Sequence, residues 1–120
     1  MKTIEKIGIG IDIVDVSQFE KISYLSKPGF YKKIFLNSEI KYCLKYKNPS
    51  EHFAGKFAIK EAVKKSINEK ISLLDIETSH SGSKPDVKLR GKNETRYKFL
   101  VSISHEKKFA VGLVISEKIR

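Results

Sequence analysis

The segment Ile7-Gly8-Ile9-Gly10-Ile11-Asp12-Ile13-Val14 organises the reading of this chain. Four isoleucines alternate with Gly8, Gly10, Asp12 and Val14, the period-two pattern of a half-buried strand whose two faces differ. One face is a row of branched side chains. The other carries two glycines beside an acid, leaving room for another group to approach the backbone.

After that strand, Asp15, with Gln18 three positions on, is placed to cap a helix carrying Phe19, Ile22 and Leu25. Pro28-Gly29 breaks it. A short apolar turn over 30–35 leads to a second helix holding Ile40, Cys43 and Leu44, capped by Asn37 or Ser38. Asn48-Pro49-Ser50-Glu51 is the clearest helix start, with Asn as the cap, Pro in the first helical position and Glu in the third. This helix runs to about Ile67. Phe53, Ala54, Phe57, Ala58 and Ala62 recur on it at three- and four-residue spacing and form one buried stripe.

The second half reads as strands over 73–78 and 87–89, joined by a turn over 81–85. A polar turn over 90–95 follows, then a hairpin of 100–104 and 109–115 around Glu106-Lys107-Lys108. No repeat or linker interrupts the chain. Strand, helices, then strands predicts an α+β fold: a small, mainly antiparallel sheet packed against a long helix with additional short helices, in a single domain over 1–120.

The chain of 120 residues carries 24 basic against 14 acidic residues, a net charge of +10. That surplus asks for an anionic partner. Only Arg90, Arg96 and Arg120 are arginines; the other cations are lysines, point charges rather than the bidentate forks that read duplex DNA. The lone Cys43 has no intramolecular disulfide partner, which fits a reducing cytoplasm. It reads as a small buried residue, a catalytic thiol being the alternative. Glu5 and Asp12 interrupt the first apolar run, which argues against a signal peptide. No stretch approaches the roughly 20 apolar residues of a membrane span.

Three residues stand out for chemistry. Asp12 is either an acid on a solvent-facing strand or a cation ligand, and aspartate is disfavoured in mid-strand. Glu61 either pairs with Lys65 at i,i+4 or continues the row Phe53, Phe57, Glu61, Lys65 to the junction of helix and sheet. His105, ending Ser102-Ile103-Ser104-His105, is either structural or catalytic. Two carboxylates suit Mg2+, which keeps several waters and takes its remaining ligands from phosphates. His52, His80 and His105 lack zinc-like spacing.

Gly8-Ile9-Gly10-Ile11-Asp12, Phe57-Ala58-Ile59-Lys60-Glu61-Ala62-Val63-Lys64-Lys65 and Ser102-Ile103-Ser104-His105, in that order, resemble the signatures of the holo-acyl-carrier-protein synthases of the 4′-phosphopantetheinyl transferase superfamily. The resemblance spans essentially the whole chain, including Glu39, Tyr42-Cys43 and Asp75-Ile76-Glu77. It implies Mg2+ held by Asp12 and Glu61, and coenzyme A as co-substrate, contacted by Lys56, Lys65, Lys84, Pro85 and His105. It further implies Glu61, Lys65 and His105 as the catalytic set. The proton of the incoming serine goes to Glu61 or to a water on the metal.

The implied reaction moves 4′-phosphopantetheine from coenzyme A to a serine of an acidic apo acyl carrier protein, releasing adenosine 3′,5′-bisphosphate in support of fatty acid biosynthesis. The implied assembly is a homotrimer. In it Asp12 and Glu61 come from one subunit and the coenzyme contacts from its neighbour, while the carrier docks around Gln18, Lys21 and Ile22. Three departures are visible. Gln18 stands where the family commonly has arginine, Ser83 is inserted into the Gly-Lys-Pro turn, and Asn68-Glu69-Lys70 replaces a glycine-containing turn. Two other readings compete. One is a basic module binding RNA or single-stranded nucleic acid through Tyr24, Tyr31, Tyr42 and Tyr46. The other is a broader-specificity transferase of the same superfamily, which usually has about twice this length.

Overall fold

The computed structural model describes residues 6–91 and 94–119. Its elements follow the order β1 (Ile7–Asp15), α1 (Ser17–Lys21), α2 (Pro28–Lys32), α3 (Asn37–Leu44), α4 (Pro49–Ser66), a 3-10 turn (Leu73–Asp75), β2 (Ile76–Ser81), β3 (Lys84–Leu89), β4 (Tyr97–His105) and β5 (Phe109–Lys118). The fold is α+β as expected, but the antiparallel strands divide into two sheets. β5 lies between β1 and β4 in one, and β2 and β3 form a separate hairpin.

The long helix α4 packs on the three-stranded sheet, and glycines let it come close. A Cβ on Gly8 would lie 1.7 Å from the Ser66 carbonyl oxygen, and one on Gly10 would lie 1.9 Å from that of Ala62. On β5, a Cβ on Gly112 would lie 2.8 Å from backbone atoms of Ala58 and Ile59. The room beside the strand glycines is therefore filled by the helix, with small residues on both sides allowing backbone-to-backbone approach. Asp12, opposite Gly112 in the ladder, shares this helix-facing side of β1 by the strand's two-residue alternation.

The isoleucine row is consequently the outer face of β1, with Ile9 66% and Ile13 64% exposed. Leu100 of β4 and Ile115 of β5 continue this open apolar face. The half-buried strand expected from the alternation is thus buried on its small-residue side, because only that side admits α4 tightly.

One core is aromatic: Phe19, Tyr31, Phe35 and Phe53 pack together, with Tyr31 and Phe53 ring centroids 4.6 Å apart. The Tyr31 hydroxyl reaches the backbone carbonyls of Phe19 and Ile22. A second core joins Ile59 and Val63 of α4 to Ile76, Val87 and Leu89 of the hairpin. Cys43 is fully buried, and burial pushes its thiol up to about 12, which leaves no reactive thiolate.

Several boundaries differ from the expectation. Asp15 does receive the Ser17 N–H at 2.9 Å, but α1 stops at Lys21 and Leu25 lies outside it, 92% exposed. A serine turn follows, in which the Ser26 N–H donates to Ser23 Oγ, and such local bonds compete with helix. Pro28 opens α2 rather than merely ending the preceding helix, because proline suits the first helical turn. The segment 73–75 is a 3-10 turn closed by Ser72 and Asp75, so β2 begins only at Ile76. The turn expected over 81–85 narrows to Gly82-Ser83, with Gly82 at φ +65°. Within the polar turn over 90–95, Lys92 and Asn93 lie outside the described residues.

Candidate active site

α4 presents functional side chains along two opposite edges. Lys56 and Lys65 are nine residues apart, and at about 100° per residue they point about 180° from one another. The edge carrying Lys65 meets β1. Its ammonium stands 3.0 Å from Asp12 Oδ1 and 2.9 Å from the Ile11 carbonyl oxygen. The close approach at Gly10 makes this reach possible, since a Cβ there would sit 3.1 Å from the Lys65 Cβ. Glu61 lies one turn earlier on the same edge and is half-buried. The Glu61–Lys65 pair suggested by spacing is not formed, because Lys65 bonds across to the strand. Among the described residues Glu61 has no hydrogen-bond or ion-pair partner.

This edge suits a hard divalent ion. Its donors are carboxylate oxygens, and Asp12 already attracts a cation, the Lys65 ammonium standing in for one. Among the described residues no group of three or more His, Cys, Asp or Glu side chains assembles here or elsewhere. A metal at this edge therefore relies on Asp12, Glu61, water and a ligand's oxygens.

The opposite edge of α4 forms the floor of a cleft of about 140 Å³ that includes Lys56, His80, Pro85 and His105 in its walls. His105 ends β4 on the helix-facing side, close to Gly55 of α4, where a Cβ would lie 3.9 Å from its ring, and its Nδ1 is 3.1 Å from Glu51 Oε1. Lys56 is buried, donates to Thr78 Oγ1 at 2.9 Å and lies 4.6 Å from the centroid of the Tyr42 ring. Burial lowers the pKa of its amine, and so does Lys60. Lys84 is exposed on the first residue of β3; Pro85, its neighbour, reaches the cleft and Lys84 does not line it.

The cleft also contains His52 and His80, which no motif marked. His80 stacks on Tyr42 at 4.6 Å and 10°, and His52 stacks on Tyr46 at 3.7 Å and 18°. The His52 and His105 rings are 5.1 Å apart. Burial lowers the pKa of both His52 and His80. The spacing His52 to Lys56, one helical turn, was the one available signal, since Tyr42 and His80 arrive from other elements.

The expected site residues thus fall into two groups, with Asp12, Glu61 and Lys65 on one edge of α4 and Lys56, Pro85 and His105 on the other. The cleft that includes Lys56, Pro85 and His105 has none of Asp12, Glu61 and Lys65 in its walls. On α1, Gln18 and Lys21 are exposed, whereas Ile22 packs partly into the aromatic core. The tyrosines suggested as a nucleic-acid platform do not make a common exposed face: Tyr31 is 1% exposed, Tyr24 and Tyr42 pack against the same core, and of the four Tyr46 alone is exposed. No described helix is long and apolar enough to cross a membrane.

A family model of the 4′-phosphopantetheinyl transferase superfamily matches residues 8–114. A holo-[acyl-carrier-protein] synthase of Thermodesulfovibrio yellowstonii is 40% identical over 111 residues, covering 90% of this chain and 96% of that protein. The fold matches the crystal structure of a Bacillus anthracis holo-(acyl-carrier-protein) synthase in complex with CoA (3′,5′-ADP), with TM-score 0.77 and 34% identity over 93% of this chain and 96% of that one. It also matches the Helicobacter pylori holo-[acyl-carrier-protein] synthase in complex with coenzyme A, with TM-score 0.76 and 34% identity over 91% and 99% of the two chains. The chain therefore belongs to the 4′-phosphopantetheinyl transferase superfamily and, within it, to the holo-[acyl-carrier-protein] synthases.

Proposed function

We propose that this protein transfers the 4′-phosphopantetheine group of coenzyme A to a serine hydroxyl of an apo acyl carrier protein and releases adenosine 3′,5′-bisphosphate. The serine oxygen forms a new bond to the phosphorus that bears pantetheine, and the bond from that phosphorus to the bridging pyrophosphate oxygen breaks. The observation carrying this reading is the Lys65 ammonium held 3.0 Å from Asp12 Oδ1, on the edge of α4 that also carries Glu61 one turn earlier.

Asp12 and Glu61 would hold Mg2+, which when bound would supply charge neutralisation at the pyrophosphate. Lys65, tethered to Asp12 on a long side chain that is 56% exposed, turns from that carboxylate towards a phosphate oxygen and stabilises the charge developing there. Glu61, free of partners among the described residues, is the candidate acceptor of the serine proton. Lys56 and His105 bind coenzyme phosphates at the cleft, with Pro85 shaping its wall and Lys84 adding positive potential at its mouth.

Because these groups occupy opposite edges of α4, one chain supplies two half-sites. We assign the complete site to a homotrimer in which one subunit's carboxylates face its neighbour's cleft. The open sheet face of Ile7, Ile9, Ile11, Ile13, Leu100 and Ile115 supports this, since a contiguous exposed apolar surface is expected to be covered by a partner. A closed ring of identical contacts covers it in every copy. The net charge of +10 suits an acidic carrier, steered to the exposed Gln18 and Lys21 of α1. The setting is cytoplasmic fatty acid biosynthesis, where the buried Cys43 thiol stays reduced.

The test is direct: incubate the protein with coenzyme A, Mg2+ and apo acyl carrier protein and weigh the carrier by mass spectrometry. A gain of one phosphopantetheine group is expected. A folded preparation that leaves the carrier mass unchanged overturns the proposal.

A further inference from the structure

Behind the cleft lies a buried polar chain that the transfer reaction as described does not use. Lys56 Nζ is 2.9 Å from Thr78 Oγ1, and that oxygen is 2.6 Å from Glu39 Oε2. The direction of the hydrogens follows from chemistry alone. An ammonium group only donates, so the Thr78 hydroxyl accepts from Lys56 and must send its single hydrogen to Glu39. The Glu39 carboxylate accepts four bonds in all. The Thr78 hydroxyl and the Thr78 N–H, at 2.8 Å, reach Oε2; Lys60 Nζ, at 2.7 Å, and the Leu36 N–H, at 2.7 Å, reach Oε1.

The two lysines of this chain differ in what they have left to offer. Lys60 spends its three donors on Glu39 and on the carbonyls of Ile34, at 2.9 Å, and Leu73, at 3.0 Å. It is fully enclosed and saturated. Lys56 spends one donor on Thr78 and keeps the others towards the Tyr42 ring and the cleft. Two ammonium groups share one carboxylate, so the buried chain carries a surplus of one positive charge on the side of the cleft. A buried surplus of this kind is costly unless an anion joins it.

We infer that Thr78 and Glu39 are positioning residues for coenzyme binding: Glu39 polarises the Thr78 hydroxyl, and that hydroxyl holds the Lys56 ammonium at the cleft wall with its free donors facing a phosphate. Lys60 neutralises Glu39 so that Lys56 remains the cation available to the ligand. This rests on the reading that the cleft takes coenzyme A. It adds that the grip on the phosphate is set by a hydroxyl in β2 and a carboxylate in α3, neither of which touches the ligand.

The experiment is a double-mutant cycle on the intact protein, read by calorimetric coenzyme A binding and by steady-state transfer. Thr78→Val should weaken coenzyme A binding about tenfold and raise its KM with kcat nearly unchanged, the scale of one lost hydrogen bond to a charged group. Thr78→Ser, which keeps the hydroxyl, should restore binding. Lys56→Met should show at least the loss of Thr78→Val, and the double variant should be no worse than Lys56→Met alone, since both act through one ammonium group. Additive losses, or a Thr78→Val protein that binds normally, overturn the inference. Failure of the unmodified protein to bind coenzyme A would instead overturn the assignment of the cleft.

Discussion

Lys65 of α4 and Asp12 of β1 stand 3.0 Å apart across the junction of helix and sheet. A residue 53 positions away in sequence thus supplies the counter-ion for a mid-strand acid that would otherwise lack one. The pair links fold to chemistry, because the same close approach that seats the helix on the strand also brings together the charges expected to handle a metal and a phosphate.

Replacing either carboxylate should remove activity without removing the fold. Asp12→Ala and Glu61→Ala are each expected to lower transfer by about a hundredfold or more, as when a group stabilising transition-state charge is lost. Asp12→Ala should change stability by less than about 1 kcal/mol, since its partner Lys65 is largely solvated. Denaturant unfolding and binding of Mn2+ followed by electron paramagnetic resonance provide readouts besides turnover. A variant with near-normal turnover would remove its residue from the proposed metal site.

Gly10 tests the packing that creates the site. Gly10→Ala would put a Cβ 1.9 Å from the Ala62 carbonyl oxygen, a clash with backbone that no rotamer change relieves. Destabilisation of about 1–3 kcal/mol or more is expected, together with loss of the Lys65–Asp12 contact. Gly29→Ala, where nothing lies within 4 Å, is the control and should be close to neutral. Equal unfolding midpoints for the two variants would contradict the described helix–strand contact.

The open sheet face makes the oligomer testable. Ile9→Lys and Ile11→Lys should yield monomers that keep their helical signal and lose transfer, as measured by light scattering and by the mass-gain assay. Mixing inactive Asp12→Ala and His105→Ala proteins and allowing subunits to exchange should restore about a quarter of the sites in randomly formed shared-site trimers. Absence of any restored activity after confirmed exchange would show that each chain completes its own site.

The cleft histidines make stability depend on pH. Burial holds the imidazoles of His52 and His80 below the ordinary range; His105 adds to the effect at His52, which Glu51 partly opposes, and Lys56 adds to it at His80. Between the folded and unfolded values the unfolded chain binds more protons, so these groups make stability rise with pH and level off above about 6.5. Acidification below that point should lower the urea midpoint. His52→Phe, which keeps a ring against Tyr46, should flatten the response, and an unchanged slope would exclude His52 as a contributor.

Much of the candidate site is readable from local pattern. A strand acid among glycines, a glutamate continuing an aromatic row and a lysine one turn later are all readable at fixed spacing, because strand and helix periodicities are set by backbone geometry. The same reading erred where a pattern left its partner undefined. The glycines of β1 signalled that something approaches the backbone, and that something is α4. Glu61 and Lys65 had ideal spacing for a pair, yet the strand carboxylate captured the lysine. The length of α1 also escaped, because a serine turn at Ser23 and Ser26 outcompetes one more turn of helix.

From its order alone, the chain determined an α+β architecture, the candidate carboxylates and a surplus of positive charge, since these follow from periodicity and composition. Tertiary structure alone decided which groups meet. It sent Lys65 to Asp12, stacked Tyr42 on His80, and ran the chain from Lys56 through Thr78 to Glu39 across 22 and 39 residues of sequence. The physical reason is that such contacts depend on how closely α4 can settle on the sheet, a distance set jointly by Gly8, Gly10 and Gly112 and by no single segment.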